Sequence, residues 1–288
     1  MASNSLKATL SLRERKFIVA AGTTWTSSSN TNSLAYTFPV DIKGFKVLSY
    51  NIPNAWYPVN SRNNTIRFVE SGVGTDKNAT LTPGNYTVTQ LLAEVKTQLE
   101  ASNDSAITYT VTANANTEKV TITPSAGNLT LKFNENPLTN AADLLGFDYA
   151  NTGAASTHTG TKPNKIVQGT ESNIVIAVGT SGNTVSSTGG GLYHSAGGST
   201  YGIIAEIPVN ATYGNYLNPV EGFNGEDFPV IASQGRGFLN ANTTTFSLRY
   251  PIRTITPTGG AATSDSDLAL VDLNQKPWMM TLAGTLGT

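Results

Sequence analysis

Phe45-Lys46-Val47-Leu48-Ser49-Tyr50-Asn51-Ile52-Pro53-Asn54 is the stretch that decides the fold class. It continues the apolar–polar alternation that begins at Leu34-Ala35-Tyr36-Thr37-Phe38-Pro39-Val40. A repeat of two is the pattern of a half-buried strand, and Pro53-Asn54 then breaks it. Upstream, Phe17-Ile18-Val19-Ala20 reads as a strand. Downstream, Asn64-Thr65-Ile66-Arg67-Phe68-Val69 is another.

One segment departs from this pattern. Val88, Leu91, Leu92, Val95 and Leu99 recur at helical spacing within Thr87–Glu100. Thr87 with Gln90 three residues on fits a capping box, and Pro83-Gly84-Asn85 turns the chain into it. A hairpin follows, from Ile107–Thr112 and Val120–Thr123, with its threonines on one side. Leu129–Phe133 adds a third strand, and Leu144, Leu145 and Phe147 anchor a short helical turn. Further strands are expected at Asn173–Val178, Gly202–Val209, Phe228–Ile231, Phe246–Tyr250 and Trp278–Leu282. Short strands joined by longer Gly/Ser/Thr/Asn loops point to a sandwich or jelly roll. No repeat of fixed period argues for a propeller or solenoid. The expected organisation is an N-terminal arm at 1–16, a discontinuous β-sandwich at 17–72 and 151–288, and an inserted α+β unit at 73–150.

Composition narrows the function. The 288 residues carry 18 Lys+Arg against 19 Asp+Glu, and charged residues make up 13%. A globular average is about 25%. Near-zero net charge argues against strong nucleic-acid binding over the whole surface. With no Cys, disulfides, Cys-ligated zinc and thiol catalysis are excluded. The longest apolar runs are strand-sized, too short to span a bilayer as a helix. Met1–Ser11 has no apolar signal-peptide core, which points to a soluble intracellular product.

Candidate chemistry is sparse. His158 and His194 both fall in Gly/Ser/Thr loops and read as solvated. Tyr193-His194-Ser195-Ala196-Gly197 lacks the first Gly of a nucleophile elbow. Thr188-Gly189-Gly190-Gly191 and Gly197-Gly198 lack the following Lys and helix of a phosphate loop. Glu221, Glu226 and Asp227 share one loop, and Asp265 and Asp267 form a D-x-D that would suit calcium only with further oxygens. The Asn-x-Ser/Thr sequons follow from the abundance of Asn and Thr. No catalytic residue, metal or cofactor is assigned. Aromatic and basic residues remain as contact candidates: Arg13, Arg15 and Lys16 in the arm, then Trp56, Tyr57, Tyr213, Tyr216 and Trp278.

The order of several short motifs resembles a known family. They are Tyr50-Asn51-Ile52-Pro53-Asn54-Ala55-Trp56-Tyr57, Pro83-Gly84-Asn85-Tyr86-Thr87 before a helix, Leu145-Gly146-Phe147, and Asp272-Leu273-Asn274-Gln275-Lys276-Pro277-Trp278-Met279-Met280-Thr281-Leu282. Together they resemble the penton (vertex) and minor capsid proteins of virophages, polinton-like viruses and related large eukaryotic double-stranded DNA viruses. The resemblance spans most of residues 45–285. Two positions depart from it: Gln275 stands where the family usually has Gly, and Tyr250 stands where an acidic residue is expected. The resemblance implies a single jelly roll with an inserted domain, assembling as a homopentamer at the fivefold vertices of a virion. It implies partners among the major capsid protein, other minor capsid proteins and a host receptor. Alternatives are a peripheral minor capsid or cement protein, and a receptor- or glycan-binding sandwich module with Tyr213–Asn218 and Glu221–Asp227 as its loops.

Overall fold

The computed structural model describes residues 14–20, 33–36, 42–71, 74–103, 106–180, 184–185, 192–194, 200–217, 219, 228–231, 244–265, 268–274, 276 and 278–286. The first elements are β1 (Glu14–Ala20), β2 (Ser33–Tyr36), β3 (Ile42–Pro53), β4 (Thr65–Glu70), β5 (Lys77–Thr80) and helix α1 (Val88–Ser102). Next come β6 (Tyr109–Ala113), β7 (Val120–Pro124), β8 (Leu129–Leu131), helix α2 (Ala142–Leu145) and β9 (His158–Thr159). After these lie β10 (Asn173–Thr180), β11 (Thr184–Val185), β12 (Leu192–His194), β13 (Thr200–Pro208), β14 (Tyr216–Leu217) and β15 (Phe228–Ile231). The last are β16 (Thr244–Arg249), β17 (Thr254–Ile255), β18 (Thr263–Ser264) and β19 (Met279–Leu286). The protein is mainly β, with several sheets, and fits a β-sandwich.

The chain divides into two compact units. One comprises Met1–Trp56, Ser172–Ile252 and Ser266–Thr288; the other comprises Tyr57–Glu171 and Arg253–Asp265. The expected insertion at 73–150 falls inside the second unit, which also takes in 57–72, 151–171 and 253–265.

The first unit holds two sheets. One runs β1-β19-β3-β15-β11, with β14 also paired to β3; the other runs β12-β13-β10-β16-β2. The described pairings in both are antiparallel. Residues of both sheets meet in one core, including Val47, Tyr50 and Ile52 of β3, Ile174 and Ile176 of β10, Phe246 and Leu248 of β16, and Met280 and Leu282 of β19. Burial follows the period of two read from the sequence except in β3, where the pairing with β19 shifts register between Val47 and Ser49 and puts Val47 and Tyr50 on the same face. Strand β10 is buried on its other face too, where Val175 and Ala177 pack with Leu268. The stretch expected to be an arm ends inside the sheet. Glu14, Arg15 and Lys16 belong to β1, opposite Thr285, Gly284 and Ala283.

The second unit packs helix α1 against two three-stranded sheets, β5-β4-β8 and β6-β7-β9. The capping box forms: Thr87 Oγ1 accepts from Gln90 N, and Gln90 Oε1 accepts from Thr87 N at 2.9 Å. The helix buries Leu91, Val95 and Leu99, each contributing about 1.5–3 kcal/mol. Leu145-Gly146-Phe147 also has a local reason. Gly146 ends α2 at φ +77°, and a Cβ there would lie 2.2 Å from Lys162 O, so only glycine fits. Inside this core Lys77 Nζ lies 3.3 Å from Glu70 Oε2. Tyr109 Oη donates to Glu70 Oε1. Burial, then the Glu70 hydrogen bond, pushes the Tyr109 hydroxyl well above its ordinary range.

Four charged side chains tie the second unit together. Arg62 Nε lies 3.1 Å from Glu171 Oε1, and Arg62 Nη2 lies 3.0 Å from Asp265 Oδ2. Arg253 Nε reaches the same Asp265 oxygen at 3.4 Å, and Arg253 Nη2 donates to Leu138 O at 2.6 Å. These residues stand at the ends of the unit's two chain segments: Glu171 closes the first, and Arg253 and Asp265 bound the second. Removing one partner from a buried ion pair typically costs about 3–5 kcal/mol, but here Arg253 still stands 3.4 Å from Asp265 and 4.0 Å from Glu171 when Arg62 is lost. Arg62→Ala is therefore expected to lower the urea midpoint, with a loss of unfolding free energy below about 3–5 kcal/mol. Limited proteolysis should cut between Arg253 and Asp265 earlier than in the parent.

Candidate interaction surface

The contact candidates separate by burial. Trp56 and Trp278 are 5% and 2% exposed and belong to the core of the first unit. This corrects their reading as contact residues: a bulky apolar ring next to a strand end finds more apolar area inside than outside. Tyr57 is 36% and Tyr216 51% exposed, while Tyr213 is partly buried. Arg15 and Lys16 lie in β1, and Arg13 lies outside the described residues.

The two long motifs have a shared structural role. Asn54 N donates to Asn215 O at 2.7 Å, Asn54 Nδ2 donates to Ala211 O at 2.6 Å, and Gly214 N donates to Asn54 O at 2.8 Å. One asparagine therefore pins the 211–215 loop to the end of β3. In the second motif, Asn274 N donates to Asp272 Oδ1 at 2.8 Å, and Asn274 Nδ2 donates to Ala55 O. Asn274 takes φ +48°, a left-handed conformation that Asn tolerates. Asn54 and Asn274 thus join segments far apart in sequence, and Trp56 and Trp278 fill the core beside them.

That packing decides what faces outward. On the sheet holding β14, β3 and β19, Leu217, Tyr50, Ile52 and Met280 point inward. Their neighbours therefore point the other way. Tyr216 lies opposite Pro53, and Met279 lies opposite Asn51. Tyr216 and Met279 are 51% and 48% exposed. The result is an uncharged outward set of Tyr216, Asn51 and Met279, suited to contact with another polypeptide surface. Met279 was not singled out from sequence, although its alternation with Trp278 and Met280 carries the signal.

Charged surface groups in the second unit are largely self-paired. Arg67 Nη2 lies 2.5 Å from Asp76 Oδ2, Lys132 Nζ lies 2.6 Å from Asp76 Oδ1, and Glu135 bridges Arg67 and Lys132 at 3.0 and 3.4 Å. The four form a closed ring of alternating sign. Hydrogen bonds from Lys132 and Arg67 hold the Asp76 carboxyl below its usual range. The Asp76 hydrogen bond holds the Lys132 amine above its own.

Sites of chemistry do not assemble among the described residues. His158 corrects its solvated reading. It is 6% exposed on β9, with Nε2 2.7 Å from Leu129 O. His194 falls in β12. Asp265 is engaged by Arg62 and Arg253, so its role is in an ion cluster. Glu221, Glu226, Asp227, Asp267 and the glycines at 188–191 and 197–198 lie outside the described residues. No group of three or more His, Asp or Glu side chains among the described residues could hold a metal ion. None of the described helices is long and apolar enough to cross a membrane.

No protein-family model matches the chain, and no curated protein matches it. Among the solved structures similar to it are two from virophages. The mavirus penton protein is 12% identical, with 95% of this chain and 99% of that chain covered and a TM-score of 0.48. A chain in the cryo-EM structure of the Sputnik virophage is 10% identical, with 95% and 98% covered and a TM-score of 0.45.

Two outcomes follow from this surface. Trp56→Ala is expected to destabilise by about 3–5 kcal/mol, and Tyr57→Ala, whose ring is 36% exposed, by clearly less, in matched urea titrations. The Asp76 contribution should depend on pH. Its folded pKa is depressed below 3.8, so its stabilisation is present above that value and is lost as pH falls through the folded pKa. The difference in urea midpoint between the parent and Asp76→Asn should be present at neutral pH and vanish in acid well below the carboxylate range.

Proposed function

We propose that the first unit is a single jelly roll and that the chain is a structural capsid protein. In this reading it is a penton, forming a homopentamer at the icosahedral fivefold vertices of a double-stranded DNA virus. Strand order carries the proposal. Taken in chain order, β1, β2, β3, β10, β13, β15, β16 and β19 distribute as β1-β19-β3-β15 in one sheet and β2-β16-β10-β13 in the other. Successive strands alternate between the sheets except β10 and β13, which are neighbours in one, in the manner of two interleaved Greek keys, the arrangement found in viral capsid and lectin domains. The second unit enters this order between β3 and β10.

The motif resemblance favours the capsid over the lectin among these uses. The outward-facing Tyr216, Asn51 and Met279 support contact with neighbouring copies, because a ring needs a patch on one copy to meet a different patch on the next. The low overall charge limits repulsion when copies gather. The partners in this reading are further copies of the chain, the major capsid protein, other minor capsid proteins and a host receptor, and its place is the virion. The role is architectural, not enzymatic, and calls for no cofactor.

Light scattering on the purified chain tests the assembly. A mass near five times 30.3 kDa is expected. A trimer would overturn the vertex reading in favour of a spike or another minor capsid protein, and a monomer would overturn self-assembly of the ring.

A further inference from the structure

We propose that Lys77 and Glu70 condense into an intrachain amide, a covalent cross-link between β4 and β5 that Tyr109 assists. Strand register brings the two side chains together. Phe68 lies opposite Lys77 in the β4–β5 pair. Glu70, two residues on, shares the buried face of β4 with Ile66 and Phe68. Lys77 Nζ lies 3.3 Å from Glu70 Oε2, so the amine stands beside the carboxyl carbon it would attack. Tyr109 Oη donates to the other oxygen, Oε1. An amine, a carboxyl and a phenol from three strands thus meet at one carbon.

Burial favours the reaction. Glu70, Lys77 and Tyr109 are 1%, 7% and 2% exposed, and Glu70 lies opposite the buried Leu129 of β8. Two charges held out of water carry a desolvation cost that their attraction offsets only in part. Transfer of one proton from the ammonium to the carboxylate removes both charges. It leaves a neutral amine with a free lone pair beside a neutral carboxylic acid, the two reactants of a condensation.

The step balances without a further reactant. Nζ attacks Cδ and forms the C–N bond, and the carbonyl electron pair moves onto Oε1. There the Tyr109 hydroxyl donates to the developing oxyanion. The Cδ–Oε2 bond then breaks, the Oε2 hydroxyl takes a proton from the nitrogen, and it leaves as water. The product is a secondary amide, and nothing is oxidised or reduced. Burial, then the Glu70 hydrogen bond, holds the Tyr109 hydroxyl above its ordinary range, so it stays protonated as a donor. Tyr109 is itself fixed. Its backbone N donates to Glu100 Oε1 at 2.9 Å, and Phe68 packs edge-on against its ring with 6.3 Å between centroids. Groups held in place avoid the encounter that makes the same condensation slow between free molecules in water.

Mass spectrometry of the folded full chain tests the cross-link. The intact mass is expected to fall short of the sequence mass by one water molecule. Trypsin should then fail to cut after Lys77, and the resulting Phe68–Lys96 peptide should give no fragments from breaks between Glu70 and Lys77. Lys77→Met and Glu70→Leu should each show the full sequence mass. Followed over time after cell-free synthesis, Tyr109→Phe should lose water about a hundredfold more slowly than the parent. Thermal melts verify that the variants fold. The proposal is overturned if the folded parent has its full sequence mass, if the missing water maps to other residues, or if folded Lys77→Met loses it too. A folded Tyr109→Phe that reacts as fast as the parent overturns the part given to Tyr109. The readout is the mass of one chain, so it stands apart from the mass of the assembly.

Discussion

The second unit depends on one constraint: a domain interrupted in sequence must have its segments closed by something stronger than loop packing. Arg62, Glu171, Arg253 and Asp265 provide that closure. Each guanidinium reaches Asp265, and Arg62 also holds Glu171. In a buried setting such a cluster gains little net stability over apolar packing, because desolvation consumes much of the Coulomb attraction. What it provides is specificity of pairing. The returning 253–265 segment has an arrangement that pairs Arg253 and Asp265 within the cluster, and that arrangement also carries the β17–β18 hairpin.

Local features were legible in the sequence and distant ones were not. The capping box at Thr87 and Gln90, the 109–124 hairpin and the short helix before Gly146 all rest on residues within a few positions of each other. Strand alternation likewise marked 45–52 as a half-buried strand, but not the register shift between Val47 and Ser49 that brings Tyr50 and Ile52 into the core with Val47. The ion cluster left no trace, because residues 62, 171, 253 and 265 have no local pattern that links them. His158 misled for the same reason: its surroundings in sequence are Gly, Ser and Thr, but its partner is the carbonyl of Leu129. Trp56 and Trp278 show the ambiguity of aromatics, since ring size predicts large buried area without saying whether the core or a neighbour covers it.

The motifs behind the family resemblance have physical explanations that do not require function. Asn54 and Asn274 are pins between segments, Gly146 is the residue that a close backbone approach permits, and the tryptophans are core. Their role is to hold a frame. The surfaces available for contact lie at positions that alternate with them, such as Tyr216 and Met279, where the fold sets few demands. Identity at frame positions can therefore persist while contact surfaces diverge.

The position of β19 has a consequence for synthesis. It lies between β1 and β3, yet leaves the ribosome long after both. Until it arrives, that sheet has an empty slot at its centre, with unpaired edges on either side. The contiguous stretch 57–171 can collapse while translation continues, whereas the sandwich must wait, a folding order set by sequence separation. A chain truncated before Met279 cannot complete the sheet, so the last strand made decides whether β1 and β3 are joined at all.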